Sequence, residues 1–320
     1  MRIVVTGALG HIGSRFIHSL KSNEYDRVVL LDNLSTQRYC SLFNLPNGIR
    51  FEFYEADILT ADLERFFEGV DVVIHLAAIT NAAGSFEIQD EVERINFQGT
   101  KRVARACSVC GCKLFFPSTT SVYGTQETVV DEECSREELK PQSPYAESKL
   151  RAERCLQRLG NVARLKFVIC RFGTIFGTSI GMRFHTAVNK FVWQACLGQP
   201  LTVWRTAMNQ KRAYLDLNDS VKAILHIINK NIFDNQIYNI VTTNSTVAEI
   251  ISIIKDFIPN TKVGYVDSQI MNQLTYTVLN NKFKSTGFKF SGNLKKGIFD
   301  TIKILEGVMK KSNRILINGR

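Results

Sequence analysis

Short apolar segments alternate with amphipathic stretches through the first two-thirds of the chain. Six segments have the length and composition of buried strands, at residues 3–6, 28–31, 51–54, 72–75, 113–117 and 166–171. Apolar residues at helical spacing lie between them, most clearly over residues 12–20 and 99–110. Strands that alternate with helices predict an α/β fold with a doubly wound, parallel Rossmann sheet.

The pattern changes near Gly173, where the loops become longer and more polar. Helical spacing returns over residues 189–197 and 247–257, and one more apolar segment covers residues 236–241. We expect that segment to return to the main sheet as a strand. The chain is therefore predicted to form a Rossmann domain over residues 1–173, completed by the returning strand, and a smaller C-terminal α/β substrate lobe over residues 174–320.

Composition and charge narrow the choice of partner. Of the 320 residues, 45% are hydrophobic, which is enough for a large core. Because no apolar run could span a membrane and no signal-peptide pattern is visible, we predict a cytoplasmic protein that does not associate with a membrane. The net charge of +10 occurs without a nucleic-acid-binding motif, so an anionic small molecule is a better expectation than nucleic acid.

The eight cysteines are expected to be free thiols, since the chain lacks a secretory pattern. Cys107, Cys110 and Cys112 lie close together, but they follow a helical register that leads into an apolar strand. No second group of cysteines or histidines supplies further metal ligands. We interpret these three as small buried hydrophobic residues and predict no metal site.

A glycine-rich motif, Thr6-Gly7-Ala8-Leu9-Gly10-His11-Ile12-Gly13, joins the first strand to the first helix. In this pattern the first glycine permits a tight turn, the second lets the backbone approach a pyrophosphate, and the third lets helix and strand pack closely. The amide groups that begin the helix would then bind the pyrophosphate. Asp32 ends the next strand, where a carboxylate accepts the 2′-hydroxyl of NAD and repels the 2′-phosphate of NADP, so NAD is the predicted cofactor.

Tyr145 and Lys149 are four residues apart, which places them on one face of a helix. An ammonium beside a phenol lowers the phenol pKa, so that the phenolate can take a proton from a hydroxyl whose carbon loses a hydride. Thr119 follows the fifth strand, at the edge where such sheets bind ligands. We predict that these three residues are catalytic.

These motifs, in this order, resemble the extended short-chain dehydrogenase/reductase family, and within it the NAD-dependent epimerase/dehydratase group that acts on nucleotide sugars. The resemblance covers nearly the whole chain. It implies that Tyr145 is the acid/base and that Lys149 also holds the nicotinamide ribose. The cofactor-binding residues that it implies are Gly7, Leu9, Gly10, His11, Ile12, Gly13, Asp32, Asn33, Asp57, Ile58, Leu76, Ala77, Ala78, Asn96, Tyr145 and Lys149.

The resemblance also implies a nucleotide-diphosphate sugar as substrate. Arg212 would bind a phosphate, Asn189 would contact the nucleotide, and Trp204 would lie against the base. The implied substrate-binding residues are Thr80, Thr119, Thr120, Tyr145, Thr174, Asn189, Trp204 and Arg212. Members of the family commonly form homodimers through a four-helix bundle, for which the apolar faces at residues 103–107 and 150–159 are candidates.

Departures from the family pattern reduce the number of candidate reactions. Thr120 and Ser121 stand where sugar dehydratases of the family have an Asp-Glu pair, so a dehydratase is disfavoured. Thr174 replaces a family asparagine, and residues 266–281 lack an arginine that many 4-epimerases have there. The leading hypothesis is a C4 epimerase that works through a 4-keto sugar. The alternatives are a one-way 4-dehydrogenase or ketoreductase and, more distantly, a non-catalytic NAD-binding protein.

Overall fold

The computed structural model describes residues 1–124, 128–267 and 275–308. Its strands are β1 (Arg2–Thr6), β2 (Arg27–Asp32), β3 (Arg50–Glu55), β4 (Val72–His75), β5 (Lys113–Thr119), β6 (Val129–Val130), β7 (Phe167–Phe172), β8 (Thr174–Phe176), β9 (Leu201–Trp204), β10 (Lys211–Asp216), β11 (Ile237–Ile240), β12 (Thr243–Thr246), β13 (Val263–Val266) and β14 (Thr277–Val278). Its α-helices are α1 (His11–Ile17), α2 (Leu63–Phe67), α3 (Gln89–Val92), α4 (Thr100–Cys110), α5 (Pro144–Ala163), α6 (Ala187–Cys196), α7 (Leu217–Lys230), α8 (Val247–Phe257), α9 (Asn281–Ser285) and α10 (Leu294–Ile304).

The central sheet has seven parallel strands in the order β11-β7-β5-β4-β1-β2-β3. This confirms the predicted doubly wound Rossmann sheet. The segment predicted to return to the sheet does so as β11, beside β7. The strand order reverses at β1, which lies between β2 and β4, and sheets of this kind bind ligands in the crevice at the carboxyl ends of the strands near that point.

Both faces of the sheet are buried, because apolar strand residues meet the apolar faces of helices on each side. Residues of α1 and α7, such as Phe16 and Ile224, pack on one face. On the other face, Val103 and Cys107 of α4 are completely buried against the sheet. The expectation that the face at residues 103–107 forms a dimer interface is therefore wrong, since that face is part of this chain's own core.

The C-terminal part of the chain forms a small separate lobe and also adds elements to the Rossmann domain. Strands β8, β10 and β12 form a small three-stranded sheet, and α6, α8 and α10 enclose a separate core. In contrast, α7 packs on α1, and α9 contacts β11. Segments after residue 174 thus complete the Rossmann layers as well as building the small lobe. Among the described residues, no helix is long and apolar enough to cross a membrane.

Candidate active site

The turn between β1 and α1 requires glycine at two of its three glycine positions. Gly7 has φ +64, and a Cβ atom there would lie 2.5 Å from the Ala77 nitrogen. A Cβ at Gly13 would lie 2.5 Å from the Ala8 carbonyl oxygen. At Gly10 the nearest atom would be 3.2 Å away, so this position is much less restricted by the chain itself. The turn therefore has the form needed for close approach of a phosphate at its second glycine.

Asp32 ties this turn to the end of β2. Its two carboxylate oxygens accept hydrogen bonds from the backbone nitrogens of Leu9, at 3.1 Å, and Leu34, at 3.0 Å. The side chain is only partly buried, and a carboxylate has further lone pairs with which to accept ribose hydroxyls. Beside it, the Asn33 amide donates to Asp57 at 3.4 Å, so the two predicted adenosine-side residues lie together.

A buried histidine connects the glycine turn to the helical segment at residues 93–110. The Thr100 hydroxyl donates to the Asn96 carbonyl oxygen at 2.6 Å, so His75 Nε2, 3.0 Å away, carries a hydrogen. His75 Nδ1 then accepts from the Thr6 hydroxyl at 2.7 Å. Burial lowers the pKa of His75 to about 3, with a further lowering from nearby Lys149. The ring is therefore a neutral structural link.

Asn96 occupies a π-helical turn, Glu93–Gly99, between α3 and α4. Its side-chain oxygen accepts from the Ile79 nitrogen at 2.8 Å, and its amide donates to the Ile79 oxygen and to the Ser148 hydroxyl. Ser148 in turn donates to the Tyr145 carbonyl oxygen. The Asn96 side chain is completely buried, so the structure places it as a brace rather than at a cofactor surface. It joins the loop after β4 to the helix that carries Tyr145.

The three residues predicted to be catalytic come together at the carboxyl end of β5. Thr119 ends β5, and Tyr145 lies in the first turn of α5, which Ser143 caps by accepting from the Ala146 nitrogen. Thr119 lies beside the Tyr145 phenol and acts to lower its pKa. Burial raises the pKa of Tyr145 to about 12, and Thr119 opposes this rise.

Lys149 lies one helical turn after Tyr145 and is almost completely buried. Its ammonium donates to the Pro117 carbonyl oxygen at 2.9 Å and lies 4.6 Å from the centre of the Phe116 ring. Burial lowers the pKa of Lys149 to about 7, while the charge of Glu153 opposes this change. Strongly shifted pKa values on a buried lysine and tyrosine that lie one helical turn apart are typical of a functional site.

Behind these residues lies a buried ion pair that the sequence analysis missed. Glu153 and Arg171 form two hydrogen bonds, at 2.7 Å and 3.1 Å, and Ser118 donates to the same carboxylate. Although burial disfavours its charge, the Glu153 carboxylate raises the pKa of Arg171 above its ordinary value. The sequence signal was a glutamate four residues after Lys149 on an otherwise buried helical face.

A segment after β8 also escaped the sequence analysis. Ser179 donates to the His11 carbonyl oxygen at 2.9 Å, and the Gly181 nitrogen donates to the Ser14 hydroxyl at 3.2 Å. A Cβ at Gly181 would lie 2.2 Å from the Leu9 carbonyl oxygen, so only glycine permits this contact. The segment after β8 is thus fastened directly onto the glycine turn.

The remaining predicted cofactor residues lie in α1 and in the loops that follow β3 and β4. The backbone nitrogens of Leu76 and Ala77 donate to Thr6, at 2.9 Å and 3.4 Å, which holds the loop that also contains Ala78. Ile58 is buried, and Ile12 is partly buried in α1.

The residues predicted to bind substrate differ in burial and lie on different elements. Thr120 is buried beside Thr119, whereas Thr80 lies exposed in the loop after β4. Thr174 is exposed on β8 and pairs with Tyr214 of β10. Trp204 is partly exposed at the end of β9.

Asn189 is buried, and its amide exchanges hydrogen bonds with the backbone nitrogen and oxygen of Gly177 at 3.1 Å and 2.9 Å. It therefore fixes the start of α6 to the loop after β8, which differs from the expected nucleotide contact. Part of the arginine-free stretch at residues 266–281 lies outside the described residues.

The ring of Tyr276 links Arg212 to the segment that follows β5. Its guanidinium is 5.9 Å from the centre of the Tyr276 ring, and Tyr276 donates to the Thr120 carbonyl oxygen at 3.2 Å. Arg212 also donates to Gln210 at 2.7 Å. Burial lowers the pKa of Arg212, but the ordinary pKa of a guanidinium is so high that the side chain keeps its charge. Its planar donors suit a diphosphate oxygen.

No group of three or more potential metal ligands occurs among residues 1–124, 128–267 and 275–308. Cys107 and Cys112 are buried, and Cys110 is partly buried, in keeping with their interpretation as core residues. All eight cysteines are free thiols.

Comparison with known proteins gives the same picture. The chain is 33% identical over 266 residues to an uncharacterized UDP-glucose epimerase of Bacillus subtilis, which covers 80% of this chain and 82% of that protein. It is also 30% identical to a trifunctional UDP-glucose 4,6-dehydratase, 3,5-epimerase and reductase of Arabidopsis thaliana. That match covers 94% of this chain but only 46% of the Arabidopsis protein.

Among solved structures, the chain is similar to a mutant of the UDP-glucuronic acid 4-epimerase of Bacillus cereus, in complex with a fluorinated UDP-glucuronic acid and NAD. The TM-score is 0.85 with 26% identity, and the match covers 95% of this chain and all of that one. Residues 3–241 match the model of the NAD dependent epimerase/dehydratase family. On this match and on the Rossmann sheet that carries it, the chain belongs to the NAD-dependent epimerase/dehydratase family.

Proposed function

We propose that this protein is an NAD-dependent nucleotide-sugar epimerase that inverts C4 through a transient 4-keto sugar. The observation that carries the proposal is the placement of Thr119 beside the Tyr145 phenol, with Lys149 one helical turn away, at the carboxyl end of β5. Relatives named as UDP-glucose epimerase and UDP-glucuronic acid 4-epimerase support it.

Each catalytic residue has a distinct task in this reaction. Thr119 holds the sugar hydroxyl, and the Tyr145 phenolate takes its proton while the carbon loses a hydride. Lys149 stabilises the phenolate by its charge and binds the nicotinamide ribose. Bound NAD supplies the chemistry of accepting and returning the hydride. After the keto sugar turns over, Tyr145 returns the proton, so the overall reaction is redox-neutral.

The rest of the site serves binding in this proposal. The glycine turn and Asp32 hold NAD, and Arg212 binds a substrate phosphate, in agreement with the net charge of +10. We assign residues 1–173 with β11 to NAD binding and the small lobe within residues 174–320 mainly to substrate. Homodimer formation and a cytoplasmic location remain predictions, and a dimer would have to use faces of α4 and α5 other than the buried one.

The fate of a deuterium label separates this proposal from a one-way dehydrogenase or ketoreductase, which would use the same three residues. With C4-deuterated UDP-glucose and UDP-glucuronic acid, we expect the C4 epimer to form with deuterium retained, because the same hydride is returned. NMR and mass spectrometry would follow the sugar, and absorbance at 340 nm would follow NADH. Accumulation of a keto sugar together with NADH, and no epimer, would replace the epimerase with a dehydrogenase.

Cofactor selectivity tests the assignment of Asp32. The purified protein should bind NAD much more tightly than NADP, and Asp32→Asn should reduce this preference because the charge that repels the 2′-phosphate is lost. Leu9 and Leu34 donate to different carboxylate oxygens, so the asparagine oxygen keeps one of these two bonds and disturbs the turn less than alanine would. Calorimetric titration with both cofactors measures the ratio. Tighter binding of NADP by the unaltered protein would refute the assignment.

A further inference from the structure

A buried ion pair begins one helical turn beyond Lys149. Glu153 follows Lys149 by four residues on α5, so the two side chains lie on one helical face. Both are almost fully buried, with exposures of 1% and 4%. Arg171 on β7 holds the Glu153 carboxylate by two hydrogen bonds, and Ser118 on β5 donates to one of its oxygens. Three elements therefore fix this carboxylate in one orientation.

The stability of the fold does not by itself account for such a pair. Taking two charges out of water costs several kcal/mol each, and well-packed apolar residues often stabilise a fold as well or better. Among the described residues, Lys149 forms no ion pair, and its ammonium donates to the neutral Pro117 carbonyl oxygen. The Glu153 carboxylate, four residues further along α5, is the negative charge that raises its pKa.

We propose that Glu153 is a positioning residue that keeps Lys149 in its ammonium form, and that Arg171 and Ser118 fix the carboxylate where it does so. Of the other ionisable groups near Lys149, His75 on β4 is neutral, and Tyr145 on the same helix is the phenol whose ionised form the ammonium stabilises. Arg171 adds a positive charge behind Glu153. The inference rests on the proposed function, in which the ammonium stabilises the Tyr145 phenolate.

In the proposed reaction the Lys149 ammonium stabilises the Tyr145 phenolate, and groups that interact in this way titrate as a pair. Burial lowers the pKa of Lys149 to about 7 and raises that of Tyr145 to about 12, so Lys149 loses its proton first, and Glu153 opposes that loss. The form with one proton left is either phenolate with ammonium or phenol with amine. Glu153 is one turn from Lys149 and two turns from Tyr145, so it favours the first arrangement, which is the one that can accept a proton from the sugar.

Glu153→Gln tests the inference, because it removes the charge and keeps the shape. The first proton then leaves more easily, so the acid limb of the kcat–pH profile should move to lower pH by about one unit. At the same time the plateau kcat should fall, since less of the pair is phenolate with ammonium. A residue with only a structural role would lower the plateau without moving the limb.

Carbon-13 NMR of lysine Cε gives a second readout that needs no turnover. In the full-length protein, the Lys149 signal is assigned by its absence from Lys149→Met, and its titration midpoint should fall in Glu153→Gln. Glu147→Gln is the matched control, because Glu147 is exposed on the same helix, and it should leave the midpoint unchanged. Glu153→Asp keeps the negative charge, so its Lys149 midpoint should return most of the way to that of the unaltered protein.

The double variant Glu153→Gln/Arg171→Met covers the case in which an unpaired Arg171 prevents folding. It should shift the midpoint in the same direction, because of the two charges that it removes, that of Glu153 is the one that acts on the Lys149 pKa. An unchanged Lys149 midpoint in either folded variant would overturn the inference. Since the NMR titration is independent of the sugar, a shifted midpoint without sugar inversion would instead refute the proposed function.

Discussion

Tyr145→Phe should lower kcat by about 10²–10⁴-fold and leave NAD bound, because the substitution removes only the hydroxyl that transfers the proton. The phenyl ring preserves the packing of the first turn of α5, and the backbone bonds that Tyr145 makes through Ser85 and Ser148 do not involve the phenol. In this variant Thr119 still hydrogen-bonds the substrate hydroxyl. The loss should therefore appear in kcat and much less in KM.

The measurement is initial-rate epimerisation, with NAD content determined after gel filtration. Tyr54→Phe is the control, because Tyr54 is exposed on β3 and far along the chain from the site. Near-normal turnover of Tyr145→Phe would show that another group moves the proton. Loss of NAD with loss of turnover would show that the phenol matters to cofactor binding instead.

Lys149→Met should damage both turnover and cofactor retention, because two tasks are assigned to one ammonium. Without the cation, the phenolate of Tyr145 loses its stabilising charge, and an effect of one to three pKa units corresponds to about 10–10³-fold in rate at neutral pH. Methionine fills a similar volume beside Phe116 but cannot donate to the Pro117 carbonyl oxygen. A change in the position of the strand end near Thr119 would add to the loss.

Gel filtration followed by NAD determination, together with kcat, separates the two tasks. Lys255→Met, at an exposed position of α8, should change neither quantity. If Lys149→Met retained NAD as well as the unaltered protein does, the ribose contact would be withdrawn and only the electrostatic task would remain. Retention of full turnover would withdraw both.

Local features of the sequence determined the Rossmann sheet and the centre of the site. Apolar strand segments, the glycine spacing and the four-residue interval of Tyr145 and Lys149 are properties of neighbouring residues, so they can be read without knowledge of the fold. Strand ends were less well determined. For example, β5 continues to Thr119 because pairing with β7 extends to Phe172, and hydrogen bonding to a neighbouring strand does not depend on local hydrophobicity.

Only the tertiary structure decided which partners these elements meet. An apolar face at residues 103–107 indicates burial, but only the structure shows that this face packs against the sheet of the same chain. Ser179 reaches His11 across 168 positions, and Arg171 reaches Glu153 from another strand. Contacts between residues distant in sequence depend on the tertiary fold, and no periodic pattern in the sequence indicates them. The sequence by itself therefore determined which residues could carry the chemistry, whereas the fold decided which charges and hydrogen bonds surround them.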